Sequence, residues 1–279
     1  MDMISAADVE RRCSVTAAAD VLEQALRAGL DPEADPPRDA VALEGGELLV
    51  MPSAANGHPA VKIVTVGGEP RIQGVCIVFD GATLAPAALI DGIGLTNLRT
   101  AAVSALAVRR LAVPDARRLL VLGRGPQAHA NVAAMRAIRP IERVDMVGRE
   151  GGELDDLVAR ADIICCCTTA REPLFDGGLV ADHATVVAIG SHEPDARETD
   201  DALACRASVV VESRASALRE AGDVIAALAS GALREESLIT LADLVRGEAT
   251  PAPGCPRLFK STGMAWEDAV VAAALAQLP

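Results

Sequence analysis

The chain has no tyrosine, one tryptophan and three phenylalanines among 279 residues, although 51% of it is apolar. Its core therefore has to be built from Ala, Val, Leu and Ile. Such side chains suit helices packed on a parallel sheet, whose strands are buried on both faces. A basic excess is also missing: Asp and Glu number 39 against 26 Lys and Arg. Nucleic-acid binders usually carry a basic face, so no nucleic-acid partner is expected, although a local basic pocket for a small anion is compatible. Long hydrophobic runs are missing too. Those around Val209 and Val270 are short and interrupted, so no membrane span is expected. The stretch from Met1 to Ala19 carries Asp2, Asp8, Glu10, Arg11 and Arg12 and does not read as a signal peptide. Seven cysteines occur without a Cys-x-x-Cys pair, which predicts reduced thiols and a cytoplasmic setting. No Walker lysine and no Ser-His-Asp pattern is present. His58, His129, His183 and His192 are scattered, with no metal spacing, so no metal is expected.

What is present divides into two rhythms. Ser5 to Leu30 has apolar residues at helical spacing, and the Pro- and Asp-rich stretch Asp31 to Asp39 breaks it. Short strand-like runs follow at Ala40–Leu43, Glu47–Met51, Ala60–Val66, Arg71–Phe79 and Leu84–Ile90. Strands in quick succession predict a mixed or antiparallel sheet. Thr96 to Leu111 then reads as a helix. From Arg117 the pattern alternates. Strands are expected at 119–122, 144–147, 163–167, 186–189 and 208–211, with helices from Pro126 to Ile138 and Leu154 to Arg160 and a last helix near Trp266. That alternation predicts a parallel sheet with right-handed crossovers.

The turn Gly123-Arg124-Gly125-Pro126-Gln127-Ala128 joins the first of these strands to its helix. A glycine pattern of this kind gains meaning from that context. Gly123 permits the tight turn, and Gly125 lets a pyrophosphate approach the helix N-terminus. Ala128, in place of a third glycine, is small enough for close helix–strand packing. At the end of the next strand, an acidic residue would hold a ribose 2′-hydroxyl. The chain has Gly148-Arg149 there, and a guanidinium suits a 2′-phosphate. NADPH is therefore expected over NADH, with NADH possible; Arg124 could add to the phosphate site. The run Cys165-Cys166-Cys167 cannot chelate a metal jointly, because alternate residues of a strand face opposite ways. It reads as small apolar filling.

Taken together, several segments resemble the ornithine cyclodeaminase/mu-crystallin family. They are Met51-Pro52, Lys62-Ile63-Val64, Asp91-Gly92, Thr96-Asn97-Leu98-Arg99-Thr100-Ala101-Ala102 and the dinucleotide turn with Gln127-Ala128. They continue with Ala188-Ile189-Gly190-Ser191, Pro194, Arg197-Glu198, Gly222-Asp223, Phe259-Lys260-Ser261, Gly263-Met264-Ala265 and Glu267-Asp268. The resemblance runs in order over nearly the whole chain. It implies an α/β protein with a Rossmann-type doubly wound parallel sheet plus a second α+β substrate/dimerisation domain. The second domain would comprise residues 1–112, completed by a C-terminal helix at 258–279, and the NAD(P)-binding domain residues 113–257. A homodimer is implied. Arg38, Lys62 and Arg99 would clamp a substrate carboxylate, and Lys62 would also serve as the catalytic group beside an imine nitrogen or amine. Thr168 and Gly190 would complete the cofactor contacts. The residue types agree with that chemistry. Arg99 near the start of an apolar helix and Lys62 in an apolar strand are both disfavoured without an anionic partner.

Two departures redirect the expected reaction. In an ornithine cyclodeaminase an aspartate would follow the Gly-Ser pair to handle the terminal amine, and here His192 stands there. Leu49-Val50 precede Met51 where an acidic residue is expected. The resemblance then points to an NAD(P)H-dependent reductase of a cyclic imino acid, with His192 as a proton donor. Ornithine cyclodeaminase, an alanine-type dehydrogenase and a non-catalytic NADPH-binding protein are the alternatives. Two regions are short for the family: 65–70, and 148–161, which leaves no room for a third strand and its helix.

Overall fold

Ser5 and Ser14 each open a helix in the computed structural model, which describes residues 1–148 and 154–278. After β1 (Asp2–Ile4), Ser5 caps α1 (Ala6–Arg12) in a reciprocal box with Asp8, and Ser14 Oγ accepts from Ala17 N at the start of α2 (Val15–Arg27). The single helix expected over Ser5–Leu30 is thus two. A serine side chain that binds the backbone just ahead of it favours a new start over continuation.

A hairpin-rich sheet follows: β2 (Asp39–Leu43), β3 (Gly46–Ser53), β4 (Ala60–Val66), β5 (Ile72–Phe79) and β6 (Pro86–Asp91). Among the described residues the strand order is β1-β6-β5-β4-β3-β2, with β1 parallel to β6 and the other pairs antiparallel. This is the expected mixed sheet. Burial alternates along β4: Ala60, Lys62 and Val64 are buried, whereas Val61, Ile63 and Thr65 are half-buried. The long helix α3 (Gly92–Leu111) begins a turn before the expected Thr96.

The second rhythm gives β7 (Arg118–Leu122), α4 (Pro126–Ile138), β8 (Arg143–Val147), α5 (Leu154–Arg160), β9 (Ile163–Cys166), β10 (Thr185–Ala188), α6 (Asp201–Arg206) and β11 (Ser208–Val211). It continues with α7 (Arg214–Glu220), α8 (Gly222–Ser230), β12 (Ile239–Thr240), α9 (Leu241–Arg246) and β13 (Arg257–Lys260). Among the described residues these strands form a parallel sheet of order β12-β11-β13-β10-β9-β7-β8. β8 is its edge strand there, in keeping with the short connection after it. β7 has β8 on one side and β9 on the other, so the strand order reverses direction at β7. Cys165 and Cys166 are fully buried in β9, and burial pushes the Cys165 thiol up to about 12. They fill the core as expected. The chain then ends in α10 (Ala265–Leu275). No helix among the described residues is long and apolar enough to cross a membrane.

The chain falls into two compact units, Met1–Val103 with Met264–Pro279, and Ser104–Gly263. Both expected boundaries move. The first falls within α3 rather than after it. The C-terminal segment expected at 258–279 is not one helix: residues 257–260 are a strand of the second unit. Phe259 is fully buried there, with β13 paired between β10 and β11, and only α10 returns to the first unit.

Candidate active site

In the first unit, β4 places Lys62 on the sheet face that also carries Met51 and Cys76, its cross-strand partners. Its Nζ lies 2.7 Å from Asp268 Oδ2, and each side chain is 2% exposed. Arg99, in the second turn of α3, bonds Glu267 Oε2 at 2.7 Å, and its Nε lies 3.2 Å from Asp268 Oδ1. Asp268 is therefore shared by both cations. Glu267 and Asp268 stand in the first turn of α10, where carboxylates are favoured by the helix dipole. Burial, and next the Arg99 charge, lower Lys62 to about 8, against the pull of Asp268. An ammonium so placed is protonated at neutral pH yet gives up its proton far more readily than an exposed lysine.

Arg38 is half-buried just before β2. Three residues earlier, Asp35 accepts from Ser53 Oγ at 2.6 Å and from Trp266 N at 2.8 Å. Asp35 thus ties the segment bearing Arg38 to both β3 and the N-terminus of α10. Burial raises the Asp35 carboxyl above its usual range, against those two bonds. The structure therefore brings Lys62 and Arg99 together, and it holds the Arg38 segment to the same helix. It also adds carboxylates that the expected basic clamp did not include.

In the second unit, the glycine turn follows β7 as expected. Gly123 has φ +118°, and a Cβ on it would stand 2.5 Å from Cys167 O, so only glycine fits. Gly125 is the N-cap of α4 and provides no side-chain cap; a Cβ there would meet nothing within 4 Å. Pro126 occupies the first turn, Gln127 follows, and Ala128 is fully buried. An uncapped helix N-terminus with open space before it fits a pyrophosphate, so these residues suit a dinucleotide. Arg124 is exposed. Arg149 lies outside the described residues.

A buried polar network braces the loops at the C-terminal ends of β9, β10 and β13. Glu198 accepts from Thr168 N (2.9 Å), Thr168 Oγ1 (2.8 Å) and Gly190 N (2.7 Å). Lys260 Nζ donates to Ser191 O at 2.9 Å and pairs with Asp223 Oδ2 at 3.0 Å. Burial raises Glu198 despite the Lys260 charge. The hydroxyl of Thr168 is thus engaged by the protein, and Gly190 is packed so closely that a Cβ would sit 2.0 Å from Thr168 O. His192 is half-buried in the loop after β10. It belongs to the second unit, whereas Arg38, Lys62 and Arg99 belong to the first. Among the described residues no group of His, Cys, Asp and Glu could hold a metal ion.

The sequence reading assigned no role to Asp35, Glu198, Asp223, Lys260, Glu267 or Asp268. One signal could have found part of this set. The chain has only two lysines, Lys62 and Lys260, and both are buried. Where nearly every other cation is arginine, two retained lysines mark positions that need a compact ammonium.

The sequence profile of the ornithine cyclodeaminase/mu-crystallin family matches residues 1–153 and 151–277. The Delta(1)-pyrroline-2-carboxylate reductase of Paracoccus denitrificans is 35% identical over 241 residues, covering 76% of this chain and 74% of that protein. The ketimine reductase mu-crystallin of Rattus norvegicus is 36% identical over 259 residues, covering 83% and 80% respectively. Among solved structures, the Delta(1)-pyrroline-2-carboxylate reductase of Thermococcus litoralis, in complex with NADH and L-proline, is similar with a TM-score of 0.92. It is 27% identical, with 99% of this chain and 97% of that one covered.

Proposed function

The chain belongs to the ornithine cyclodeaminase/mu-crystallin family, and from that premise we propose that it is a nicotinamide-dependent reductase of a cyclic imino acid, a Δ1-pyrroline-2-carboxylate-like ketimine. The observation that carries this reading is the buried Lys62, held by Asp268 beside Arg99. A bound nicotinamide nucleotide supplies hydride to the imine carbon. Lys62 donates the proton that the imine nitrogen takes up, and the neutral amine left behind is reprotonated from water. Arg99 and Arg38 fix the substrate carboxylate, since a guanidinium matches it bidentately. Asp268 and Glu267 hold the cation heads in place before substrate arrives, which limits the reorganisation that binding requires. His192 is a further proton donor in the proposal. The family relatives named as reductases and the proline complex of the Thermococcus litoralis enzyme support this substrate class.

The cofactor belongs to the turn at Gly123–Ala128, with Thr168 and Gly190 in the adjoining loops and NADPH preferred to NADH. A homodimer is part of the same reading. The sheet face opposite Lys62 leaves Met3, Val41, Leu43 and Val75 exposed, an apolar surface that a second copy would cover. The reduced thiols keep the expected cytoplasmic setting in the proposal.

The test is absorbance at 340 nm with NADPH or NADH and a panel of five- and six-membered cyclic α-imino acids, beside ornithine with ammonia detection. Imine-dependent oxidation that Lys62→Ala abolishes is expected. Ammonia release from ornithine, or full turnover by both Lys62→Ala and Arg99→Ala, would overturn the assignment.

A further inference from the structure

Arg124 leaves the glycine turn in a particular direction. Its Nε lies 3.4 Å from the point that a Cβ on Gly148 would occupy, with Cδ at 3.6 Å and Cζ at 3.7 Å. Gly148 directly follows β8, so the guanidinium lies against the C-terminal end of that strand. This is the strand end at which a dinucleotide's adenosine ribose is read. A carboxylate there would accept from a 2′-hydroxyl and repel a 2′-phosphate. Among the described residues there, Val147 and Gly148 supply none, and a cation lies against the place instead. Of the arginines around β7 and β8, Arg117 pairs with Glu142, Arg143 with Asp145 and Arg160 with Asp156. Among the described residues Arg124 has no such carboxylate partner.

We propose that Arg124 is the residue that reads the 2′-phosphate and so sets preference for the phosphorylated dinucleotide. The inference rests on the dinucleotide reading above. A phosphate monoester brings acceptor oxygens and negative charge to a planar fork of donors, an arrangement that favours Arg over any neutral side chain. A nucleotide without that phosphate gains nothing from the fork. The preference therefore lies in the difference between the two ligands and not in the pyrophosphate site that they share.

Calorimetric titration of the full chain with NADPH, NADH and 2′,5′-ADP tests this without turnover. The wild type is expected to bind NADPH at least about tenfold more tightly than NADH, the scale of one charged hydrogen bond. Arg124→Ala should weaken NADPH and 2′,5′-ADP by about that factor and leave NADH within about twofold, with melting temperature unchanged because the side chain is exposed. Gly148→Asp should pair with the guanidinium, repel a 2′-phosphate and reverse the preference. Equal weakening of NADPH and NADH in Arg124→Ala would place the residue on the shared pyrophosphate and overturn the assignment, as would no weakening of either. If the wild type binds NADH but shows no gain from the 2′-phosphate, this inference alone falls. If it binds neither dinucleotide, the dinucleotide reading falls with it.

Discussion

Replacing Asp268 by Asn removes one negative charge and leaves two buried cations, Lys62 and Arg99, facing an amide. Removing one partner of a buried ion pair costs about 3–5 kcal/mol, a large part of the roughly 5–15 kcal/mol that keeps a domain folded. Lys62 can relieve part of that cost by losing its proton. In the wild type, burial and Arg99 already lower it to about 8. Assigning about 3 kcal/mol of the lost attraction to its charged form moves it down by roughly two further units. The sign of the pH dependence follows. A lysine whose folded value lies below its unfolded value costs stability when charged, and that cost is relieved as pH rises through the folded value toward the unfolded one. In the wild type the relief begins near pH 8. In the variant it begins about two units lower. The stability deficit of Asp268→Asn is therefore largest below about pH 6 and shrinks by about 2–3 kcal/mol by about pH 8. Urea unfolding at a series of pH values measures the deficit. Because the chain has only two lysines, a Lys260→Arg background assigns the Lys62 signal in isotope-labelled lysine spectra. A deficit that does not change with pH, or a Lys62 that titrates at or above its wild-type value in the folded variant, would refute the reasoning. The alkaline limb of the rate profile should move down in step with that titration.

Two further outcomes separate folding from function. Gly125→Val places its side chain where a Cβ meets nothing, at a φ of −78° that any residue adopts, so stability should change by less than about 1 kcal/mol. The same side chain occupies the approach to the α4 N-terminus, so NADPH affinity in calorimetry should fall at least about tenfold. Asp35→Ala loses bonds of 2.6 and 2.8 Å to Ser53 and Trp266 and should destabilise by about 1–3 kcal/mol in urea. Its effect on the substrate KM should exceed that on dinucleotide affinity, because the Arg38 segment lies in the first unit. An equal loss of both would place Asp35 in a purely structural role.

The features legible in the sequence are those that local chemistry decides. The short strand-like runs broken by Gly, Pro and Asp became β2 to β6, because those breakers end strands locally. The glycine turn is written in the six adjacent residues Gly123 to Ala128, since Gly123 must accept a positive φ and Gly125 must leave its Cβ position open. Lys62 and Arg99 are assigned through the family resemblance, and their place as cations in apolar elements agrees with it. Other features depend on contacts between distant segments. β1 has three residues and gains its place only by pairing with β6. β13 reads as part of a terminal helix until β10 and β11 are seen to bond it from both sides. The partners of Lys62 and Arg99 lie some 200 and 168 positions away on α10, and Lys260 finds Asp223 and Ser191 through two separate loops. By itself the sequence pointed to Lys62 and Arg99 as cations in apolar elements and to where a phosphate can approach the backbone, and it left Lys260 without a role. Only the tertiary structure decided which carboxylates balance those charges, because ion pairing acts through space and its partners have no spacing along the chain.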